Sequence, residues 1–362
     1  MTTIEWCQND DGSRGKTWNP IRGCSRVSAG CDECYAMKFA HRFSGAGKPY
    51  EGLTTIRRGK VDWSGVARFI PEELDAPLRW RKPQRVFVNS MSDLFYHWIT
   101  NEQIAAVFGV MASCPRHTFQ ILTKRPERAL EFFAWLNGGD GYLHRINDAV
   151  CDVLGRSCVA FPTQRHGMVF HPGWPLPNVH LGVSVENQAA ADKRIPLLLK
   201  CPAAVRWISA EPLIEPVNLR GHLLADGPTR SAGQGAHVAS CECGHGHGFT
   251  RCPNTGDIVT ACHYAGCACP GFRRVNGIRW VVIGGESGPG ARPYDLAWPR
   301  SIIAQCRAAG VQVFHKQVGS KPFEHVTDAF VVERRFRDSK GGDPSEWPDD
   351  LRVREFPEAR HA

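Results

Sequence analysis

Seven short apolar runs recur along this chain, each leading into polar residues: Trp18–Ile21, Arg85–Asn89, Thr118–Leu122, Val179–Val183, Val205–Ile208, Ile278–Ile283 and Val311–Phe314. Runs of this length, without strict alternation, read as strands covered on both faces. Helical patterns separate several of them. Thr100 caps a helix through Ile104–Met111, and Pro126 opens one that runs to Leu136. Gln188–Leu199 and Trp298–Ala309 are two more, the last ended by Gly310. Strand, helix and strand in repetition demand right-handed parallel crossovers. The expected fold is therefore α/β, a complete or partial parallel β/α (TIM-like) barrel with a Cys/His-rich metal-binding insert. Its site is expected in the loops at the C-terminal ends of the strands. A doubly wound open sheet is the alternative, but the GxGxxG turn that marks it after a first strand is absent.

Two stretches interrupt the pattern. Asn137–Asn178 is a long connection, helical around Leu143–Leu154, and Ser231–Gly271 is rich in Gly, Cys and His. The organisation reads as a first barrel part over 1–230, the insert over 231–272, a last barrel part over 273–322 and a tail over 323–362. In the tail, Ala329–Val332 is strand-like.

A chain of 362 residues with 42% hydrophobic and 22% charged residues can bury a full core without disulfide staples. No run approaches the roughly 20 apolar residues of a membrane span. Met1–Trp6 has neither the basic nor the apolar part of a secretory signal. The expectation is a cytoplasmic protein with no membrane partner. Fifteen cysteines in a reducing compartment favour metal binding over disulfides. Net charge is +8, and the last 40 residues carry 10 acidic against 7 basic side chains, so the chain before them carries +11. That excess suits an anionic partner such as nucleic acid or a nucleotide. No block of Lys and Arg marks a nucleic-acid arm.

Six of the cysteines, at 7, 114, 151, 158, 201 and 306, are scattered and read as small buried apolar residues. Cys24, Cys31 and Cys34 follow the first expected strand on one short loop. Three thiolates so placed can hold three irons of a [4Fe–4S] cube and leave the fourth open. Zinc is the competing metal, with Cys7 or His41 as fourth ligand. The insert offers nine more donors within 29 residues: Cys241, Cys243, His245, His247, Cys252, Cys262, His263, Cys267 and Cys269. They suffice for one or two tetrahedral zinc sites, and a Gly-rich segment with so few apolar residues would take its folding energy from the metal. An auxiliary iron–sulfur cluster is the other option there.

Polar residues at the strand ends form a further set. A barrel would gather Asn89, Ser92, Asp93, Thr123, Lys124, Arg125, Ser184, Glu186, Asn187, Ser209, Glu211, Glu286, Lys316 and Gln317 at one mouth. Lys124 or Arg125 suits a carboxylate or phosphate. The glycines of Gly284–Gly290 suit either an anion-binding nest of N–H groups or plain tight turns.

Several blocks resemble a known family. Trp18-Asn-Pro20 with Gly23-Cys24 and Gly30-Cys31-Asp-Glu-Cys34-Tyr-Ala36 is similar to the phage-associated three-cysteine-motif proteins. So are Pro77-Leu-Arg-Trp-Arg-Lys-Pro83, Phe87-Val-Asn-Ser-Met-Ser-Asp-Leu-Phe95, Phe119-Gln-Ile-Leu-Thr-Lys-Arg-Pro126, Gly182-Val-Ser-Val-Glu186, Ser209-Ala-Glu-Pro-Leu213, Gly284-Gly-Glu-Ser-Gly-Pro-Gly-Ala-Arg-Pro293 and Phe314-His-Lys-Gln317. That family in turn resembles radical S-adenosylmethionine (SAM) enzymes. The resemblance implies a partial barrel with Cys24, Cys31 and Cys34 on three irons. SAM would chelate the fourth iron and, after transfer of one electron from a donor protein or reductant, yield a 5′-deoxyadenosyl radical.

The common radical-SAM loop is C-x3-C-x2-C, whereas the first gap here is six residues. The Gly-Gly-Glu that usually grips the SAM amine after the second strand stands here at Gly284–Glu286, after the sixth. Asp93 is the candidate for that ammonium, and Ser184, Glu186 and Asn187 suit ribose and methionine groups. Glu211, Glu286, Lys124 and Lys316 complete the expected cofactor contacts. The functional expectation is reductive SAM cleavage acting on nucleic acid or a modified nucleotide. The alternatives are a non-catalytic zinc protein that binds nucleic acid, or a metal-dependent nuclease or lyase.

Overall fold

A computed structural model describes residues 4–138, 142–154, 175–223, 277–327 and 330–357, and four short strands between 239 and 274. Seven strands form one parallel sheet: β1 (Lys16–Trp18), β2 (Arg85–Val88), β3 (Thr118–Thr123), β4 (Val179–Ser184), β5 (Val205–Ala210), β6 (Trp280–Gly284) and β7 (Gln312–Gln317). Their order in the sheet is their order in the chain, as successive right-handed crossovers require. Besides the single turn Pro71–Leu74, the helices of the described residues are α1 (Tyr35–Arg42), α2 (Asn101–Ala112), α3 (Pro126–Leu136), α4 (Tyr142–Leu154), α5 (Gln188–Lys200) and α6 (Ala297–Ala308).

The sheet curls. β2 and β6 are four strands apart, about 19 Å in a flat sheet. Yet the Trp6 ring centroid lies 4.7 Å from that of Phe87 on β2 and 6.2 Å from that of Trp280 on β6. Only strong curvature brings both strands to one indole, so the fold is a partial parallel β/α barrel. β1 and β7 do not pair with each other. The turn Glu5–Cys7 touches both β2 and β7 and so spans the gap. Residues after Leu351 cover the outer edge of β7. The His315 N–H donates to the Val353 carbonyl (2.8 Å) and the Glu355 N–H to that of Val313 (2.9 Å). An edge strand is thereby paired rather than left open.

Local rules explain the elements. Thr100 and Gln103 form a reciprocal capping box on α2. Its residues from Ile104 to Ala112 are all buried, with α4 as its main neighbour and α3 packed beside it. The first expected strand is shifted: pairing in the sheet runs from Lys16 to Trp18, and Ile21–Arg22 instead pairs antiparallel with Arg68–Phe69. Pro20 has no N–H to donate to a ladder. On β4, Gly182 is required because a Cβ there would enter the Trp207 indole.

The tail forms part of the packed structure. Phe330–Glu333 pairs antiparallel with Pro322–Thr327, and Trp347, Leu351 and Val353 are buried. In the insert region, Gly248–Arg251 pairs antiparallel with Ile258–Ala261, and Ala239–Ser240 with Arg273–Arg274. The nine expected ligands Cys241, Cys243, His245, His247, Cys252, Cys262, His263, Cys267 and Cys269 lie outside the described residues. Among the described residues, no helix is long and apolar enough to cross a membrane.

Candidate functional site at the barrel mouth

A cavity of about 350 Å³ opens at the C-terminal ends of the strands. Trp6 and Phe87 form its apolar base, and the loop 23–35 walls one side. Cys24, Cys31 and Cys34 all line it, together with Asp93, Lys124, Ser184, Glu211, Glu286 and Lys316. Strand periodicity places most of these. Trp207, Ser209 and Glu211 follow one another at intervals of two on the inner face beginning at β5. β7 departs from it: Ile283 pairs with His315 and Gly284 with Gln317, so Lys316 is the extra residue of a bulge. The bulge re-aims the chain and puts both Lys316 and Gln317 on the cavity.

Asp93 is expected to hold an ammonium, but its carboxylate is already fully engaged. Oδ1 accepts from the Phe95 N–H (3.0 Å) and the Thr123 hydroxyl (2.7 Å); Oδ2 accepts from the Lys124 N–H (3.0 Å) and Arg125 Nη1 (3.0 Å). A carboxylate has about four acceptor sites. Asp93 therefore positions Arg125, whose Nη2 donates to the carbonyl of Ser25 (3.0 Å) and to its hydroxyl (3.1 Å). In this way Asp93 holds the cysteine loop from below.

Two further carboxylates are similarly committed. Glu186 is 1% exposed and does not line the cavity. It pairs with Lys124 (3.3 Å) and Arg194 (2.8 Å). Burial pushes its carboxyl up, but Lys124 and Arg194 outweigh burial and bring it down to about 2. Gly30 of the cysteine loop rests on this pair: a Cβ there would stand 3.1 Å from Lys124 Nζ and 3.2 Å from the Glu186 carboxylate. Glu286 is forked by Arg292, which also donates to the Ala29 carbonyl at 3.0 Å. Asn187, expected on ribose, is the N-cap of α5, its Oδ1 accepting from the Ala190 N–H at 2.8 Å. Glu211 is different. It faces the cavity and pairs with Lys316 alone among the ion pairs of the described residues.

The thiols are partly exposed. Burial pushes Cys24 up to about 12, and it raises Cys34 as well, so coordination to a cation is what would draw off their protons. Two donors already point at sulfur: the Val27 N–H lies 3.5 Å from Cys31 Sγ, and Arg125 Nη1 lies 3.7 Å from Cys24 Sγ. Donors of this kind support metal-bound thiolates. Among the described residues no three Cys, His, Asp or Glu side chains are close enough to share one ion. The candidate fourth zinc ligands also point elsewhere. Burial pushes Cys7 up to about 12, and its Sγ donates to the Arg85 carbonyl at 3.2 Å. His41 Nδ1 bonds Thr54 Oγ1 at 3.0 Å. A cube would distribute three thiolates over three irons, whereas a structural zinc would need four donors on one ion.

Residues 1–343 match a family model described as a protein of unknown function, DUF5131. The chain belongs to the DUF5131 family. No curated protein and no solved structure matches it. In this DUF5131 member, the sequence did not disclose the role of Trp6 at the base or of Arg194 and Arg292 at the mouth. The two arginines stand eight and six residues beyond the glutamates they hold, and no local motif joins them. Trp6 meets its partners only because the sheet curls.

One mouth residue has a side-chain amide without a partner. Asn89, directly after β2, is 2% exposed, and neither its Nδ2 nor its Oδ1 has a hydrogen-bond partner. Its backbone is left-handed, at φ +59°. Each unpaired buried polar atom costs about 1–3 kcal/mol.

Proposed function

We propose that this chain is a radical-SAM-like iron–sulfur enzyme, akin to the phage-associated three-cysteine-motif proteins, working in a reducing cytoplasm. The observation that carries this reading is the opening of Cys24, Cys31 and Cys34 into one cavity at the C-terminal mouth of a partial parallel barrel. Those three residues would hold a [4Fe–4S] cluster. When bound, and given an electron from a donor, the cluster supplies reductive cleavage of SAM to start radical chemistry.

The chain's own residues do the rest. Asp93 and Arg125, Lys124 and Glu186, and Arg292 and Glu286 fix the loop so that the sulfurs face inward. The Glu211–Lys316 pair is the charge complement of an α-amino acid: its carboxylate takes an ammonium and its ammonium takes a carboxylate. Ser184 and Ser209 offer hydroxyls to a ribose. Trp6, Phe87 and Leu122 keep water from the base of the cavity. Nucleic acid or a modified nucleotide is the substrate class that fits the basic net charge, and the Cys/His-rich insert binds zinc.

Anaerobic reconstitution with iron and sulfide tests the reading. The expected product is a brown protein with broad absorption near about 400 nm that releases 5′-deoxyadenosine from SAM and dithionite. Cys24→Ala, Cys31→Ala and Cys34→Ala should each abolish both signals and leave the circular dichroism unchanged. A colourless protein that retains zinc alone overturns the reading in favour of a structural zinc protein.

A further inference from the structure

Asn89 requires an explanation beyond its backbone. A left-handed residue after β2 is satisfied by asparagine or glycine. Glycine would meet the conformational need without burying an amide. The N–H and carbonyl of Asn89 are already used, by the Trp18 carbonyl (2.7 Å) and the Ser92 N–H (3.2 Å). Only the side-chain amide is left over, and it lies on the cavity.

Its surroundings narrow the choice of ligand. Phe87 lies two residues earlier on the same face of the strand, Trp6 packs on Phe87, and Leu122 faces the cavity from the next strand. An orphan amide beside flat apolar walls suits a planar ring that carries a hydrogen-bond donor next to an acceptor. We propose that Asn89, with Trp6, Phe87 and Leu122, forms a nucleobase subsite. The amide reads the donor–acceptor edge of the base, and the apolar walls receive its faces. The proposal rests on the reading of this cavity as the reaction chamber and names what enters it. The base can belong to an adenosyl cofactor or to a nucleotide substrate.

The test needs no cluster. Equilibrium dialysis of the full chain without iron would use adenosine, cytidine and uridine, each beside its analogue N-methylated on the pairing edge. At least one parent nucleoside should bind about tenfold or more tightly than its methylated analogue. Discrimination in the adenosine pair alone assigns the subsite to an adenosyl group; discrimination in the cytidine or uridine pair assigns it to a substrate base. Asn89→Gly keeps the backbone and removes the amide. It should lose the discrimination and melt no lower than the parent. Asn89→Asp, which keeps one acceptor and loses the donor, should weaken binding likewise. Failure of every nucleoside to bind, or undiminished discrimination by Asn89→Gly, overturns the proposal. Should 5′-deoxyadenosine still form in that case, the subsite falls and the catalytic reading stands.

Discussion

At the base of the half-barrel the interior is filled with rings; two residues further along the same strands it is lined with polar groups. Phe87 gives way to Asn89 and Trp207 to Ser209, while on β7 Phe314 gives way to Lys316 and Gln317 through the bulge. On β2 and β5 the period of two that sends alternate side chains inward thus carries the strand from core to mouth in one step. The two regions are held by different means. At the base, Trp6 meets Phe87, Trp207 and Trp280 with centroids 4.7, 5.1 and 6.2 Å away, and contact area does the work. At the mouth, buried carboxylates are matched to named cations. The contrast separates mouth groups that build the site from those left to serve a ligand. Asp93 has every acceptor site filled, and Asn89, four residues earlier, has neither amide atom paired.

The largest effect is expected at the base. Trp6→Ala removes the ring on which three strands converge and should lower the unfolding free energy by about 3–5 kcal/mol, read by urea denaturation. A cost below about 1 kcal/mol would mean that the base does not depend on this ring, and the contrast between the two ends would lose its first half.

A smaller but more specific effect is expected at the mouth. Asp93→Asn keeps the shape and replaces an acceptor of four donors by a group with a single oxygen. The expected loss is about 2–3 kcal/mol. Arg125 would also release the cysteine loop, so Cys24 should react faster with a thiol reagent than in the parent protein. Unchanged Cys24 reactivity would show that Asp93 does not hold the loop.

The sequence made one kind of information legible and hid another. The helix start at Thr100 is legible because the cap and its partner Gln103 lie three residues apart, and that at Pro126 because proline suits the first helical position. Strand ends were readable because apolar runs stop there. The role of a polar residue at a strand end was not readable, because one residue type serves several purposes. Asn187 stands where a ribose ligand could stand, and it caps a helix. Glu186 and Glu286 look like binding carboxylates, and each is held by an arginine beyond the reach of any local pattern. The bulge at Lys316 depends on the pairing between β6 and β7, which a single strand does not encode.

Acid separates the buried histidines of the strands from the carboxylates of the mouth. His180, on β4, is pushed down to about 3 by burial, with Arg85 adding to the effect. Burial, with Arg354 adding to it, pushes His315 on β7 down to about 4. Its Nδ1 bonds the Leu351 carbonyl at 3.0 Å, so that nitrogen carries a proton; the bond favours the charged ring, and burial outweighs it. The unfolded chain protonates both rings below about 6.5, where the folded chain does not. Unfolding therefore takes up protons, and stability falls as pH drops from about 6.5, by about 1.4 kcal/mol per pH unit for each ring. The loss from His315 ends near 4 and that from His180 near 3. Glu186 acts lower. Its folded value of about 2 against an ordinary 4.5 gives stability that is complete above about 4.5 and lost as pH falls toward 2. Chemical denaturation between pH 7 and 4.5 should thus report the histidines, and below that range the carboxylate as well. His315→Gln should roughly halve the slope of the upper part of the profile, leaving that of His180; Glu186→Gln should leave the upper part as it is and make the lower part shallower. A profile that is level from pH 7 to 5 in the parent protein would show that neither ring is held neutral in the folded state.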